Sequence, residues 1–159
     1  MTRVYLDTNY LFGLLRADET AGDEQFRAWR RRVEQEIGED AALVSDLVVD
    51  ELAYRLVLAW LRDAGDAAPL TTYRQSTSAV LRKLRPKLSA LWKALDSLDL
   101  DWATSGPASL HIAQMLMGDP GLSPRDAFHA AYAIDNQCAW MVSSDAHFDR
   151  VRRVSRLGP

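Results

Sequence analysis

The chain has 159 residues, of which 48% are hydrophobic and 26% are charged, so it is large enough for one domain with a sizeable core. We predict a single domain over residues 1–159. The net charge is −3, which argues against one broad basic surface that coats nucleic acid. The sequence has no long apolar run, no signal peptide and a single cysteine. These features favour a cytoplasmic protein without a membrane partner or disulfide framework.

The first predicted strand ends in a polar triplet. Arg3 to Leu6 is rich in β-forming residues, and Asp7, Thr8 and Asn9 follow it directly, before the apolar run Tyr10 to Leu15. Ligands of open α/β sheets bind at the carboxyl ends of strands, so Asp7 is a candidate ligand-binding residue. A helix cap explains the same triplet equally well.

A second carboxylate lies on a helix that follows the next predicted strand. The strand covers Ala42 to Ser45, and the helix runs from about Asp46 to Arg62 with Glu51 on its second turn. The helix is apolar almost all round, which predicts that it is largely buried. The alternative for Glu51 is a surface ion pair with Arg55, four residues further on.

The third carboxylate stands at a helix start. Ser123 is a good N-cap and Pro124 suits the first helical position, so Asp126 is explained by a capping box. The same face carries small residues such as Ala130, which allow close packing on a sheet. An acid on that inward face needs a partner, because burying an unpaired charge is costly.

The fourth carboxylate repeats the arrangement of the first. Ala139 to Ser143 reads as an apolar strand, and Asp145 follows at its carboxyl end with Ser143 close enough to hydrogen-bond nearby. A turn or cap is the alternative for Asp145. We expect Asp149 to solvate a helix end rather than to join the acids.

Four acids from distant segments are better explained together than one by one: Asp7, Glu51, Asp126 and Asp145. Carboxylates brought together repel unless a divalent cation neutralises them. Oxygen ligands favour Mg²⁺ or Mn²⁺, and Cys138 and the three histidines have no zinc-ligand spacing.

In their order along the chain, these motifs resemble the PIN domain, and most closely the VapC-like toxin ribonucleases of toxin–antitoxin pairs. The resemblance spans nearly the whole chain. It implies a metal-dependent endoribonuclease in which the quartet binds Mg²⁺ or Mn²⁺ and Asn9 and Ser143 support it. It further implies an RNA substrate, a cognate antitoxin and a homodimer. The sequence departs from the family pattern in a long interval between Glu51 and Asp126, and in Ser143 where threonine is commoner.

This resemblance leaves two alternatives open, a housekeeping RNA-processing nuclease of the same fold and a non-catalytic module that binds RNA or protein. The presence of all four acids argues against the second. A receiver-type phosphoacceptor domain would want paired acids after the first strand and a late lysine, and the last lysine here is Lys93. A metal-activated water is the expected nucleophile, and we expect His129 to support the site rather than to act as its base.

The remaining segments alternate between strands and helices, which predicts a three-layer α/β/α sandwich with a mostly parallel sheet. Helices are predicted for 23–37, for 71–95 with a kink at Pro86, and for 107–117; a strand is predicted for 97–102. Asp99 and Asp101 in that strand are possible extra acids. Three clusters of basic residues could contact RNA, and the basic face of helix 71–95 is our first choice. The five tryptophans indicate either an interface or a core.

Overall fold

The computed structural model describes residues 3–16, 23–38 and 41–159. The strands that it contains are β1 (Arg3–Leu6), β2 (Ala41–Val44), β3 (Leu100–Trp102), β4 (Cys138–Val142) and β5 (Ser155–Leu157). The α-helices in these ranges are α1 (Thr8–Arg16), α2 (Glu24–Ile37), α3 (Asp46–Asp63), α4 (Pro69–Ser97), α5 (Pro107–Gly118) and α6 (Pro124–Asp135). A 3-10 helix at Ala146–Arg150 lies between β4 and β5.

The five strands form one parallel sheet in the order β3-β2-β1-β4-β5. The chain builds the sheet outward from β1 in one direction through β2 and β3, then returns to the other side of β1 to add β4 and β5. The central strands are apolar on both faces, with Val4, Tyr5, Met141 and Val142 fully buried. Such continuous burial is typical of parallel strands covered by helices on both sides.

The helices form two groups. Helix α3 packs against both α1 and α4, whereas α5 packs against α6, which contacts β4. The crossovers from β1 to β3 and the return crossover to β4 run in opposite directions along the sheet. Right-handed connections therefore place the two groups on opposite faces, which gives the α/β/α sandwich predicted from the sequence.

Short-range signals define the starts of three helices. The side chains of Asp23, Ser45 and Ser123 accept hydrogen bonds from the backbone N–H groups of Phe26, Val48 and Asp126. Each is an N-cap of the kind that Ser and Asp commonly supply. The predicted boundaries of α2, α3 and α6 agree with these caps to within a residue or two.

Helix α4 continues through Pro86, where a kink was predicted, without an interruption. Helix α4 loses its helical dihedral angles at Ser76 (φ −139°, ψ 38°) instead, which lies beyond the steric reach of Pro86 to the carbonyl four residues before it. Beside the break, the Thr77 hydroxyl donates to the Tyr73 carbonyl oxygen at 2.7 Å. Such back-bonding from Ser and Thr often bends helices.

Two other segments differ from the prediction. The strand expected over 97–102 is only Leu100–Trp102, because α4 continues to Ser97 and Leu98 caps it. Strand β5 and the 3-10 helix were not predicted from their short, charged sequences. Within the described ranges, none of the helices combines the length and the apolar character that crossing a membrane requires.

Candidate metal centre at the carboxyl edge of the sheet

The sheet reverses its direction of growth between β1 and β4, and crevices at such switch points are where open α/β sheets bind ligands. Asp7 directly follows β1, and Asp145 lies three residues beyond the end of β4. The Asp7 N–H donates to the Val142 carbonyl oxygen at 3.1 Å, so the hydrogen bonding between β1 and β4 continues up to the acid. The two strand-end acids therefore lie on either side of the switch point.

Asp7 is held by a ring of hydrogen-bond donors. Its side chain accepts from the Thr8 N–H at 2.7 Å, from the Asn9 amide at 2.6 Å and from the Ser143 hydroxyl at 2.6 Å. The residue is only 5% exposed. Burial raises the pKa of Asp7 above its usual range, although the nearby His129 and the hydrogen bond from Ser143 act in the opposite direction.

The two predicted supporting residues connect the ends of β1 and β4. The Asn9 amide nitrogen donates to the Ser143 hydroxyl at 3.1 Å, and the Asn9 carbonyl oxygen accepts from the Ser144 N–H at 3.1 Å. The same Ser143 hydroxyl accepts from the Asp145 N–H at 3.0 Å. Asn9 and Ser143 thus fix the spacing between the loops that carry Asp7 and Asp145.

Glu51 projects from the second turn of α3 toward Asp7. Its Oε2 accepts from the Thr8 hydroxyl at 2.7 Å and from His129 Nε2 at 3.2 Å, while its Oε1 lies 2.6 Å from Arg125 Nε. Burial by itself raises the pKa of Glu51, but the hydrogen bonds from His129 and Thr8 outweigh it and leave the pKa lowered. Glu51 is therefore held as a carboxylate.

The alternative ion pair between Glu51 and Arg55 is not the arrangement observed. The Arg55 guanidinium lies over the Phe12 ring, 4.6 Å from its centroid. Glu51 instead contacts Arg125 and His129, both from the distant helix α6.

Asp145 has the capping role that its sequence suggested, whereas the capping box predicted for Asp126 is not formed, because its carboxylate accepts from the Ser123 hydroxyl and not from the Ser123 N–H. The Ser123 hydroxyl caps α6 and donates to Asp126 Oδ2 at 2.7 Å. Asp145 caps the 3-10 helix by accepting from the His147 N–H at 2.8 Å. The side chains of Asp126 and Asp145 are 21% and 36% exposed, so capping leaves carboxylate surface free for a ligand.

All four acids line one small cavity of about 140 Å³, together with Arg55 and Arg125. Among the described residues, possible metal-ligand atoms at this end of the sheet form two groups, each with its atoms within 4.8 Å of one another. We call Asp7, Glu51 and His129 the inner cluster, and Asp126, Asp145 and His147 the outer cluster. The inner cluster is buried, whereas in the outer cluster Asp126 and Asp145 are partly exposed and His147 is exposed.

A larger groove of about 740 Å³ lies next to this cavity. It runs between α3 and α4, with Tyr54, Tyr73 and Trp92 among its apolar walls, and it shares Glu51, Arg55 and Arg125 with the acidic cavity. Two arginines thus stand where the groove meets the acids.

The other predicted acids lie outside the cavity. Asp149 accepts from Arg156 at 2.7 Å and 2.9 Å, which holds the 3-10 helix against β5, as expected for a residue outside the quartet. Asp99 and Asp101 are exposed, at or just before the edge strand β3, and line neither of these two cavities.

Several residues of the site were not assigned to it from the sequence: Thr8, Arg125 and His147. Thr8 stands inside the Asp-Thr-Asn triplet and Arg125 directly precedes Asp126, so position alone could have pointed to both. Their contacts with Glu51 span 43 and 74 residues of chain, and no local pattern encodes them. His147 follows Asp145 by two residues, inside the 3-10 helix that was missed.

The architecture and the cavity define a doubly wound α/β protein with a carboxylate cluster at its switch point. The family model of the PIN domain matches residues 4–154, and the chain belongs to the PIN domain family. Among solved structures, it is similar to a chain in the crystal structure of VapBC2 from Rickettsia felis bound to a DNA fragment from their promoter. That match has a TM-score of 0.57 and 15% identity, and it covers 98% of this chain and 97% of the other. A search of curated proteins found no significant match.

Proposed function

We propose that this protein is a metal-dependent endoribonuclease that hydrolyses RNA phosphodiester bonds. The observation that carries the proposal is the convergence of Asp7, Glu51, Asp126 and Asp145, from four separate segments, on one cavity at the switch point. Membership of the PIN domain family supports it, because PIN domains are generally nucleases.

The donors around the cavity fit a hard divalent cation. The acids offer carboxylate oxygens, and Asn9 and Ser143 hold Asp7 in place, a set that favours Mg²⁺ or Mn²⁺ over zinc. The burial that raises the pKa of Asp7 also means that its charge lacks full compensation from the protein. Asp7 and Glu51 would hold the ion on the inner side, and Asp126 and Asp145 on the outer side.

A bound divalent ion supplies a nucleophilic water near neutral pH and charge stabilisation for the scissile phosphate. The chain's own residues then bind and orient. Arg55 and Arg125 stand beside the acids and suit contacts with the RNA phosphates on either side of the scissile bond. No serine or cysteine nucleophile is needed for this chemistry.

The path of the RNA beyond these two arginines stays a prediction. On α4, the residues of the predicted basic face are exposed: Arg82, Lys83, Arg85, Lys87 and Lys93. The Lys87 ammonium lies over the Trp60 ring, 5.6 Å from its centroid, which is on a different side of α4 from the groove that joins the acids. We therefore propose that the RNA contacts Arg55 and Arg125 first and reaches α4 further along its path.

We propose further that the protein acts in the cytoplasm as the toxin of a toxin–antitoxin pair, with a cognate antitoxin and as a homodimer. The fold similarity to a VapBC2 chain supports a toxin role. Exposed apolar side chains on β3 and α5, Trp102, Leu110 and Met115, offer a surface for a second copy. Of the five tryptophans, Trp29 and Trp60 lie in the core, Trp140 is partly buried against it, and Trp92 and Trp102 are exposed.

The test is cleavage of structured RNAs by the purified protein with Mg²⁺ or Mn²⁺. We expect metal-dependent cleavage that a chelator stops, that Asp7→Asn abolishes and that the exposed Asp101→Asn leaves unchanged. Cleavage by Asp7→Asn at the wild-type rate would contradict the proposal, as would the absence of metal-dependent cleavage on every RNA.

The toxin role needs its own experiment. Expression of the wild-type chain should arrest growth of its host, and co-expression of the protein encoded by an adjacent reading frame should relieve the arrest. Asp7→Asn should be harmless. Undisturbed growth with active wild-type nuclease would favour the housekeeping alternative.

A further inference from the structure

A buried chain of polar side chains runs beneath the acidic cavity and ends on Glu51. The Ser45 hydroxyl lies 2.6 Å from the Tyr5 hydroxyl, which lies 3.0 Å from His129 Nδ1, and His129 Nε2 lies 3.2 Å from Glu51 Oε2. Tyr5 is fully buried and His129 is 2% exposed. The chain draws on β1, the cap of α3 and the middle of α6.

The direction of the last bond in this chain follows from its chemistry. A carboxylate oxygen only accepts hydrogen bonds, and Glu51 is surrounded by donors, with the Thr8 hydroxyl on Oε2 and the Arg125 guanidinium beside Oε1. His129 Nε2 therefore carries a proton and donates to Glu51. Its other ring nitrogen, Nδ1, is engaged by the Tyr5 hydroxyl, so neither nitrogen has a lone pair directed into the cavity.

This geometry separates three roles for His129. A histidine that binds a metal ion directs an unprotonated nitrogen at it, and a general base needs a free nitrogen facing the water. Neither condition is met here. What the geometry provides is orientation, because partners behind a ligand fix its position and its basicity.

We propose that His129 is a positioning residue, fixed by Tyr5 and Ser45, that holds the Glu51 carboxylate in its metal-binding orientation. Thr8 donates to the same oxygen at 2.7 Å, so Oε2 is held from two sides. Oε1 instead meets Arg125, whose side chain is 62% exposed and free to turn toward solvent. The row of hydrogen-bonded side chains from Ser45 to His129 thereby leaves Oε1 available to the cation, while Oε2 stays bonded to the protein.

Ser45 links this chain to the backbone of the helix that bears Glu51. Its hydroxyl accepts from the Val48 N–H at 3.4 Å as the N-cap of α3, and it lies against Tyr5 as well. The start of α3 and the ring of His129 are therefore tied to the same strand residue. A shift of α3 along the sheet would break the contact between Ser45 and Tyr5 and the contact between Glu51 and His129 together.

The inference rests on the proposed function, and its test measures metal binding in the absence of RNA. Mn²⁺ affinity is measured by calorimetry for wild type, His129→Ala, His129→Gln and Tyr5→Phe, with His111→Gln and Tyr10→Phe as matched controls away from the chain. We expect His129→Ala to weaken Mn²⁺ binding about 10- to 100-fold. His129→Gln, whose amide can donate from a similar place, should recover most of that loss. Tyr5→Phe should cost roughly tenfold or less, the effect of one neutral hydrogen bond.

Pulsed electron paramagnetic resonance of bound Mn²⁺ distinguishes positioning from ligation. The nitrogen couplings should be the same in wild type and His129→Gln, because His129 does not touch the ion. A coupling lost in His129→Gln would overturn the proposal, and so would wild-type affinity in His129→Ala. If wild type binds no Mn²⁺, the proposed function fails as well. If wild type binds Mn²⁺ and the His129 variants bind it equally tightly, only the positioning role fails. Circular dichroism of each variant confirms that it is folded.

Discussion

The inner and outer clusters use the same ligand chemistry in opposite surroundings. In the inner cluster, Asp7 and Glu51 lie among Thr8, Asn9, Ser143 and His129, and most of their carboxylate oxygens accept hydrogen bonds from the protein. In the outer cluster, Asp126 and Asp145 are bonded mainly to their own helix starts and are partly exposed. The inner acids are thus held partly by distant residues, with Ser143 bonded to Asp7 and with Thr8 and His129 bonded to Glu51, whereas the outer acids are held by local contacts.

The difference teaches which part of the site is preorganised. Groups held in fixed geometry before a ligand arrives cost little to reorganise when it binds. The inner cluster meets that condition, whereas the outer acids can exchange a ligand oxygen for water. We infer that the inner cluster sets metal affinity and that the outer cluster adjusts the ion and the substrate around it.

The largest effect is expected for Glu51→Gln. Loss of residues that only support metal ligands costs about 10- to 100-fold in activity, so loss of a ligand charge should reduce RNA cleavage by more than about 100-fold. Single-turnover cleavage rates check this. Asp46→Asn, an exposed acid in the first turn of the same helix, is the matched control and should cleave normally.

A smaller effect is expected for Asp145→Asn. Asparagine keeps the cap, because its carbonyl oxygen can still accept from the His147 N–H, and water can replace the lost ligand at this exposed position. Cleavage should therefore fall only about tenfold, the size of effect seen when a group that supports a metal ligand is lost. Asp149→Asn, which breaks only the bridge to Arg156, is the control. A loss equal to that of Glu51→Gln would show that the two clusters do not differ.

The pH dependence of Mn²⁺ binding and of stability should reveal the burial of Asp7. Burial raises the pKa of Asp7, so protons compete with the cation at a higher pH than they would at an ordinary aspartate, and Mn²⁺ affinity should fall several-fold between about pH 8 and about pH 5. In metal-free protein the pH dependence of stability has the opposite sign to that of Mn²⁺ affinity. Burial of the Asp7 carboxylate destabilises the metal-free protein at high pH, and this cost is relieved as the pH falls through the raised pKa toward the ordinary pKa of aspartate.

Calorimetry for binding and thermal unfolding without metal measure these two trends on the same samples. In the unfolding measurement, the contribution of Asp7 is the difference in stability between wild type and Asp7→Asn at each pH. Binding that is equally strong across the range would argue that Asp7 is not the residue with which protons and metal compete.

The smallest effect is expected for His147→Gln. The imidazole is 59% exposed and lies 3.4 Å and 3.9 Å from Asp145 and Asp126, and exposed pairs of this kind contribute little. Cleavage should change by less than about threefold. A loss of tenfold or more would place His147 among the ligands of the outer cluster.

Much of the fold could be predicted because its signals are local. The cap at Ser45, the Ser123–Pro124 pair and the strands before Asp7 and Asp145 each lie within a few residues of what they determine. The four acids could be selected as candidates for the same reason, since Asp7 and Asp145 follow strands, Asp126 opens a helix and Glu51 lies on the second turn of one. Parallel strands and the order of the motifs were enough to predict the layers.

The missing parts depend on contacts between distant segments. Tyr5 meets His129 across 124 residues, and Arg125 displaces Arg55 as the partner of Glu51 through tertiary packing. Strand β5 is a three-residue edge strand whose pairing with β4 defines it. At the break near Ser76, the Thr77 hydroxyl bonds to a carbonyl of its own helix. Such bonding competes with regular helical geometry, and the sequence contains many serines and threonines that do not break a helix.

The most direct measurement for the whole account is a calorimetric titration of Mn²⁺ into metal-free wild type, Asp7→Asn and Asp145→Asn. We predict that wild type binds Mn²⁺, that Asp7→Asn loses this binding, and that Asp145→Asn retains it with about tenfold weaker affinity. Binding by Asp7→Asn that matches wild type, or loss of binding only in Asp145→Asn, would contradict an inner metal site.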